Sequence, residues 1–381
     1  MITPISEPFI NGKEFYEIKQ ALKLNQISSY GAIISKFEKK ISIITNSKYV
    51  VSCSSGTAAL HIALKVVGVR NDDEVIVPTI TFIATINSVN YLKAKPVFMD
   101  CDEYFNIDPL KTAEFIKNQT YFKNGFTYNK KTKRRVSAII PVHVWGNASN
   151  INKLSKLCKK RNIKIVEDCT EALGTYYKNK KKSSVGSIGD IGCFSFNGNK
   201  IITTGNGGVL IMKKKIYADY SRYLISQATD NGENFLHNEI GYNYRFSSLN
   251  AAFGLGQLKK FKFYLKKKRE IHKMYLNYFK DSKNFSILKN PKYSYSNNWL
   301  NILLFKPIYK NKIIKKFKEK NFQVKNVWKP NHLQKPYRKN EVYKLNNYHK
   351  FYNGSICLPS SVNLTRQRIK KICKTILSCE K

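Results

Sequence analysis

Glu74-Val75-Ile76-Val77-Pro78-Thr79-Ile80-Thr81 opens as a β-branched apolar run and breaks at a proline into alternating threonines. A run this short, closed by proline, predicts a buried strand rather than a helix. Phe82 to Leu92 then has helical spacing, and Ala94 to Asp100 reads as the next strand. The order recurs downstream: Val136 to Val142 as strand, Ile151 to Arg161 as helix, Ile163 to Asp168 as strand. Strands that are apolar at successive positions are buried on both faces, and their alternation with helices predicts a mostly parallel α/β sheet. Ligands on such sheets bind beyond the carboxyl ends of the strands. The polar residues of interest fall there.

Outward from this centre, Gly12 to Lys23 and Ala32 to Thr45 have the spacing of amphipathic helices. Thr57 to Val67 is a third helix, opening directly after Ser54-Ser55-Gly56. Gly186 to Met212 breaks the pattern. It is dense in Gly, Ser and Thr, and its apolar runs Ile191–Phe196 and Val209–Met212 predict antiparallel strands with tight turns. After Leu258 the chain turns Lys-rich, with a long helix and then a smaller α/β unit. The expected division is therefore a large domain over 1–257 and a small C-terminal domain over 258–381. No internal repeat or low-complexity linker separates them, so they are expected to pack closely.

Composition bounds the function. A chain of 381 residues with 42% hydrophobic and 13% aromatic content has enough apolar surface for a large core and is neither disordered nor collagen-like. The strongest membrane candidate, Val75 to Leu92, holds Pro78, three threonines and two asparagines, so no membrane span is expected. No charged-then-apolar leader follows Met1, which predicts a cytoplasmic protein. Eight cysteines without a CxxC pair suggest neither a disulfide framework nor a zinc site, and no metal is expected. The net charge is +42, with 32 Lys and Arg against 5 Asp and Glu from Gly256 to Lys381. Only ten of the 67 basic residues are Arg. Readers of nucleic acid rely on bidentate Arg contacts, so this excess predicts a solvated lysine surface and no specific nucleic-acid partner.

Three constellations carry chemistry. Ser54-Ser55-Gly56-Thr57-Ala58-Ala59-Leu60 places Ser, Gly and Thr at a helix start, where free N–H groups cap the helix or hold an anion. Asp168 ends the apolar strand Ile165-Val166-Glu167-Asp168, where a carboxylate needs several donors or a cation such as a pyridinium nitrogen. Lys200, in Phe194-Ser195-Phe196-Asn197-Gly198-Asn199-Lys200, has no other charge near it between Asp190 and Lys213. Desolvated, it would have a lowered pKa and could serve as nucleophile or proton shuttle. His143 beside Trp145 reads as packing at a strand end rather than as an acid–base group, Cys169 and Cys193 as small buried residues, and Trp328 with His332 as a Pro-flanked loop that either packs on the surface or approaches the substrate.

In this order the three elements resemble the DegT/DnrJ/EryC1/StrS sugar aminotransferases. The resemblance extends through Ser28-Ser29-Tyr30-Gly31, Pro78 to Thr85, Pro141 to Gly146, Glu167 to Gly174, Gly241-Tyr242-Asn243-Tyr244-Arg245 and Leu358-Pro359-Ser360-Ser361. It implies the aspartate-aminotransferase fold, with a mostly parallel seven-stranded sheet and a smaller C-terminal α/β domain. It also implies pyridoxal 5'-phosphate as cofactor. Lys200 would form the Schiff base and shuttle the proton, Asp168 would pair with the pyridine nitrogen, and Phe82 would stack on the ring. Gly56, Thr57 and Ser195 would bind the phosphate. Asn243 would reach the phosphate held by the partner subunit of a homodimer with shared sites. Glu171 departs from the Gln or His of many relatives near the phenolic oxygen; a carboxylate there repels that oxygen unless it turns away or is protonated. Asn206 stands where Glu is common.

Phe82-Ile83-Ala84-Thr85 and Ser195 to Lys200 look most like the branch acting on 4-keto-hexosamine nucleotides in nonulosonic-acid pathways. The implied reaction moves an amino group from glutamate to C4 of a nucleotide-linked 4-keto-6-deoxy sugar. A non-acetamido GDP, dTDP or UDP sugar is the alternative acceptor. A sugar dehydratase of the same fold, with histidine in place of the lysine, is disfavoured by Lys200. An idle protein whose basic face binds polyanions is disfavoured by the intact Lys200, Asp168 and phosphate loop.

Overall fold

The computed structural model describes residues 2–178 and 183–380. Its main sheet runs Tyr49–Cys53, Gly208–Met212, Ile191–Ser195, Lys164–Asp168, Val136–Ile139, Glu74–Pro78, Lys95–Met99, Val342–Tyr343 in spatial order. From Ile191–Ser195 onward every pairing is parallel. Gly208–Met212 alone is reversed, antiparallel to both neighbours as its turn-rich surroundings predict. Seven of these strands make up the expected sheet; the two-residue Val342–Tyr343 is an eighth at its edge.

Burial explains the apolar runs. Val75 and Val77 enter one core while Ile76 enters another, and Phe98 parts from Val97 and Met99 in the same way. Both faces of the sheet are covered, so both faces must be apolar. A third core forms where helices Phe261–Phe279, Lys310–Glu319 and Arg366–Leu377 meet a four-stranded antiparallel sheet of Phe285–Ile287, Asn301–Phe305, Ser355–Leu358 and Lys325–Asn326.

The chain crosses between these bodies more than once. Val342–Tyr343 returns to the large sheet, and Thr3 bridges Phe322 beside the small one. Two details differ from the expectations. The helix after Glu74–Pro78 begins at Ala84, leaving Phe82 in the preceding loop and 52% exposed. Thr120–Lys123 and Phe126–Asn129 form a hairpin around Asn124-Gly125, both at positive φ. Among the described residues no helix is long and apolar enough to cross a membrane.

Candidate active site

One cleft gathers Ser55, Gly56, Thr57, Phe82, Thr85, Asp168, Glu171, Ser195, Lys200, Trp299 and Trp328 at the carboxyl ends of the central strands. Its floor begins with the helix Gly56–Val66. Ser55 caps it, accepting the Ala58 N–H at 3.0 Å. Gly56 is required by space. A Cβ there would sit 2.7 Å from that of Ser195 and 3.1 Å from the Thr170 methyl. The helix start, Thr57 and Ser195 thus form a close-walled cradle of N–H and hydroxyl donors at the positive end of a helix, which suits a phosphate.

Asp168 is buried at the end of Lys164–Asp168. The Thr85 hydroxyl donates to its Oδ2 at 2.7 Å and the Thr170 N–H to its Oδ1 at 3.0 Å. Two donors leave lone pairs to spare on a carboxylate. The cleft is where a cationic group can take them.

Lys200 is half-buried in the turn beyond Ile191–Ser195, its N–H bonded to the Asn197 carbonyl at 3.0 Å. Burial holds its ammonium below the ordinary lysine value, while Glu171 and Asp168 pull it back. Its Nζ lies 4.2 Å from the ring centre of Trp299. Glu171 does not turn away from the cleft. Its Oε2 accepts the backbone N–H of Trp145 at 2.7 Å, and burial pushes its carboxyl up to about 7 against the opposing pull of Lys200.

The sequence reading noted Trp145 and Trp328 separately and missed Trp299 and the wall that the three form. All three tryptophans of the chain meet here: Trp145 stacks on Trp328 at 5.1 Å and on Trp299 at 6.4 Å, and Trp328 lies 5.4 Å from Phe82. The Trp328 loop is stapled down by Asn331, whose side chain donates to the Thr81 carbonyl at 2.8 Å, and by His332, 2.6 Å from the Thr79 hydroxyl. The Trp328 indole N–H is buried near Glu171 without a well-formed hydrogen bond. Only the rarity of tryptophan could have flagged this cluster.

His143 is not simple strand-end packing. It accepts the Ser149 N–H on Nδ1, so Nε2 donates to Glu167 at 3.0 Å. Burial works to raise the Glu167 pKa, but His143 with the Gly189 and Gly186 N–H groups outweighs it and leaves it low. Cys169 lies close to this pair, but burial keeps its thiol protonated and Glu167 has no oxygen to spare. These groups support the strand end from behind. Asn243 is exposed and lies outside the cleft of its own chain.

The profile of the DegT/DnrJ/EryC1/StrS aminotransferase family matches residues 8–377. The chain belongs to that family. It is an aminotransferase and its cofactor is pyridoxal phosphate. The cradle at Gly56, the buried Asp168 with lone pairs to spare and the desolvated Lys200 fit that group. The chain is 32% identical over 379 residues to the GDP-perosamine synthase of Escherichia coli O157:H7, covering 98% of this chain and 97% of that one. It is 31% identical over 386 residues to the UDP-4-amino-4,6-dideoxy-N-acetyl-beta-L-altrosamine transaminase of Campylobacter jejuni serotype O:23/36, covering 99% and 97%. Helicobacter pylori PseC, an aminotransferase involved in the biosynthesis of pseudoaminic acid, shares the fold. It matches with a TM-score of 0.89 at 24% identity over 100% of this chain and 99% of that one.

Proposed function

We propose that this protein transfers the amino group of glutamate to C4 of a nucleotide-linked 4-keto-6-deoxy sugar, in the synthesis of a surface glycan or nonulosonic acid. The favoured acceptor is a 4-keto-hexosamine nucleotide such as UDP-2-acetamido-2,6-dideoxy-4-keto-hexose. The observation that carries the reading is the convergence of Lys200, Asp168 and the open ring of Phe82 on one cleft above a helix N-terminus. The two curated relatives support a nucleotide-linked sugar as acceptor, one being a GDP-perosamine synthase and the other a transaminase named for a UDP-linked amino sugar; only the second favours the hexosamine.

Pyridoxal phosphate, when bound, supplies the carbonyl that carries the amino group and a ring that takes up the electron pair released at the reacting carbon. Gly56, Thr57 and Ser195 would hold its phosphate, and Phe82 would offer a ring face to the pyridine. Asp168, oriented by Thr85 and Thr170, keeps a proton on the ring nitrogen. Lys200 tethers the cofactor. Once released, its Nζ would take the α-proton of glutamate and deliver it to the carbon that had been the cofactor's carbonyl, a transfer favoured by a base whose pKa lies below that of a free lysine. Glu171 in its protonated form would have a proton to offer the phenolic oxygen instead of repelling it. A second copy of the chain completes each site through Asn243.

A panel of UDP-, GDP- and dTDP-linked 4-keto sugars assayed with glutamate, with products resolved by mass and NMR, tests the acceptor. A 4-amino sugar from the UDP-hexosamine at the highest kcat/KM is expected; preference for a GDP sugar overturns the hexosamine assignment. Borohydride reduction followed by peptide mapping should tether the cofactor at Lys200, and labelling at another lysine overturns its role.

A further inference from the structure

We propose that Lys268 is a positioning residue for the cleft: from outside it, the buried Nζ ties down the backbone of Trp299 and so fixes the indole against which Lys200 rests. The inference depends on Lys200 being the reactive amine, as proposed above.

Lys268 lies on the helix Phe261–Phe279 and is 1% exposed. Its Nζ donates to the carbonyls of Trp299 at 3.0 Å and Ser360 at 2.6 Å. Both acceptors are neutral. An ammonium buried without a carboxylate is costly, and an apolar side chain would pack the same helix face more cheaply. The buried positions on either side of it, Tyr264, Ile271 and Tyr275, show what packing alone asks for.

What the two hydrogen bonds secure is a short chain of contacts to the reactive lysine. Trp299 is held at both ends, its carbonyl by Lys268 and its indole N–H by the Asn199 carbonyl at 2.6 Å. Asn199 directly precedes Lys200, whose Nζ lies 4.2 Å from the same indole. The second acceptor leads to the same place. The Ser360 N–H donates to the Ile5 carbonyl at 2.7 Å, and the Ser6 hydroxyl donates to the Asn199 carbonyl at 3.1 Å. Lys268 therefore joins three segments, distant in sequence, that converge on the residue before Lys200.

An aromatic face favours the charged form of an amine above it. Trp299 in this position helps Lys200 keep its proton, against the burial that lowers its pKa. Any slackening of Trp299 removes that help. Lys268 itself is pushed down to about 7 by burial alone. The buried ionisable groups of its own helix are Tyr264, His272 and Tyr275, whose hydroxyl donates to the Pro359 carbonyl at 2.8 Å; the elements across from it present the Trp299 and Ser360 carbonyls and Asn301, which binds His272 Nδ1 at 2.8 Å.

The test uses the full chain without cofactor. Acetylation of Lys200 is followed against pH by peptide mass spectrometry, and tryptophan emission is recorded in parallel. The three tryptophans all sit in this cluster, so the emission reports on nothing else. Lys268→Met should lower the midpoint of Lys200 acetylation by about half a pH unit, the scale of one cation–π contact, and should shift the emission. A purely structural lysine would lower the melting temperature and leave the Lys200 midpoint in place. An unchanged midpoint or an unchanged spectrum overturns the proposal. Should Lys268→Met fail to fold, Trp299→Leu removes the indole while keeping the carbonyl that Lys268 binds. The same fall in midpoint is then expected, and its absence overturns the proposal. Neither result bears on which lysine borohydride labels, so this inference and the assignment of Lys200 fail separately.

Discussion

Glu171 shows how one residue changes the chemistry of a cleft. Its carboxyl is raised from 4.5 to about 7 by burial, so the folded chain keeps a proton that the unfolded chain loses between those values. Stability therefore falls as pH rises through that window, by at most about 3 kcal/mol. Glu171→Gln does not bear this loss. Urea unfolding of the cofactor-free protein should show the variant gaining on the wild type at pH 8 and not at pH 5; an equal difference at both would mean Glu171 is ionised in the fold. For Asp168→Asn the expectation is different. The amide cannot keep the ring nitrogen protonated, so the cofactor should remain bound while kcat falls by at least about a hundredfold, the scale of removing one group that stabilises developing charge. Turnover within a few-fold of wild type would count against the role. Asp168 and Lys200 were legible in the sequence because each stands out locally, one as a charge ending an apolar strand and the other as a lysine without charged neighbours. Trp299 and Lys268 were not, because their partners lie far off along the chain.

The elements were legible where burial shapes composition. Glu74–Pro78 and Lys164–Asp168 are buried on both faces, and their unbroken apolar runs say so. Tyr49–Cys53 was missed because five residues running straight into a helix cap show no period of their own. The hairpin at Asn124-Gly125 did carry a signal, since that dipeptide favours the positive φ both residues adopt. The start of the helix Gly56–Val66 is where element geometry meets chemistry. Strand Gly208–Met212 passes so close that a Cβ at Gly208 would meet the Ser55 carbonyl, and Gly56 is pressed against Ser195. Gly56→Ala should therefore open the cradle, costing about 1–3 kcal/mol of stability and weakening cofactor affinity. Ser55→Ala should cost only about 1 kcal/mol through the lost cap. Equilibrium unfolding and cofactor titration of both variants separate the effects, and equal cofactor affinity in the two would show that the cradle is not the phosphate site.

At the scale of the whole molecule, the site is incomplete within one chain if Asn243 serves it. Asn243 is exposed, outside its own cleft, and bridged to Ser226 at the base of a segment that carries Phe235 and Ile240, 81% and 78% exposed. Large apolar side chains this open on one excursion are suited to burial against another surface. The proposed dimer would cover them with a second copy and, in the same contact, set Asn243 at the neighbouring phosphate cradle. An amide bonded to a phosphate contributes roughly 1.5–3 kcal/mol, so Asn243→Ala should loosen the cofactor about tenfold or more while the fold persists. Lys200→Ala subunits mixed with Asn243→Asp subunits should then regain activity. One of the two sites in a mixed dimer takes its lysine from one chain and its asparagine from the other, and both are intact there. The parents must first be shown to be inactive and to exchange subunits. Mixed dimers that form but stay silent, or a fully active monomer, would mean that each chain builds its site alone.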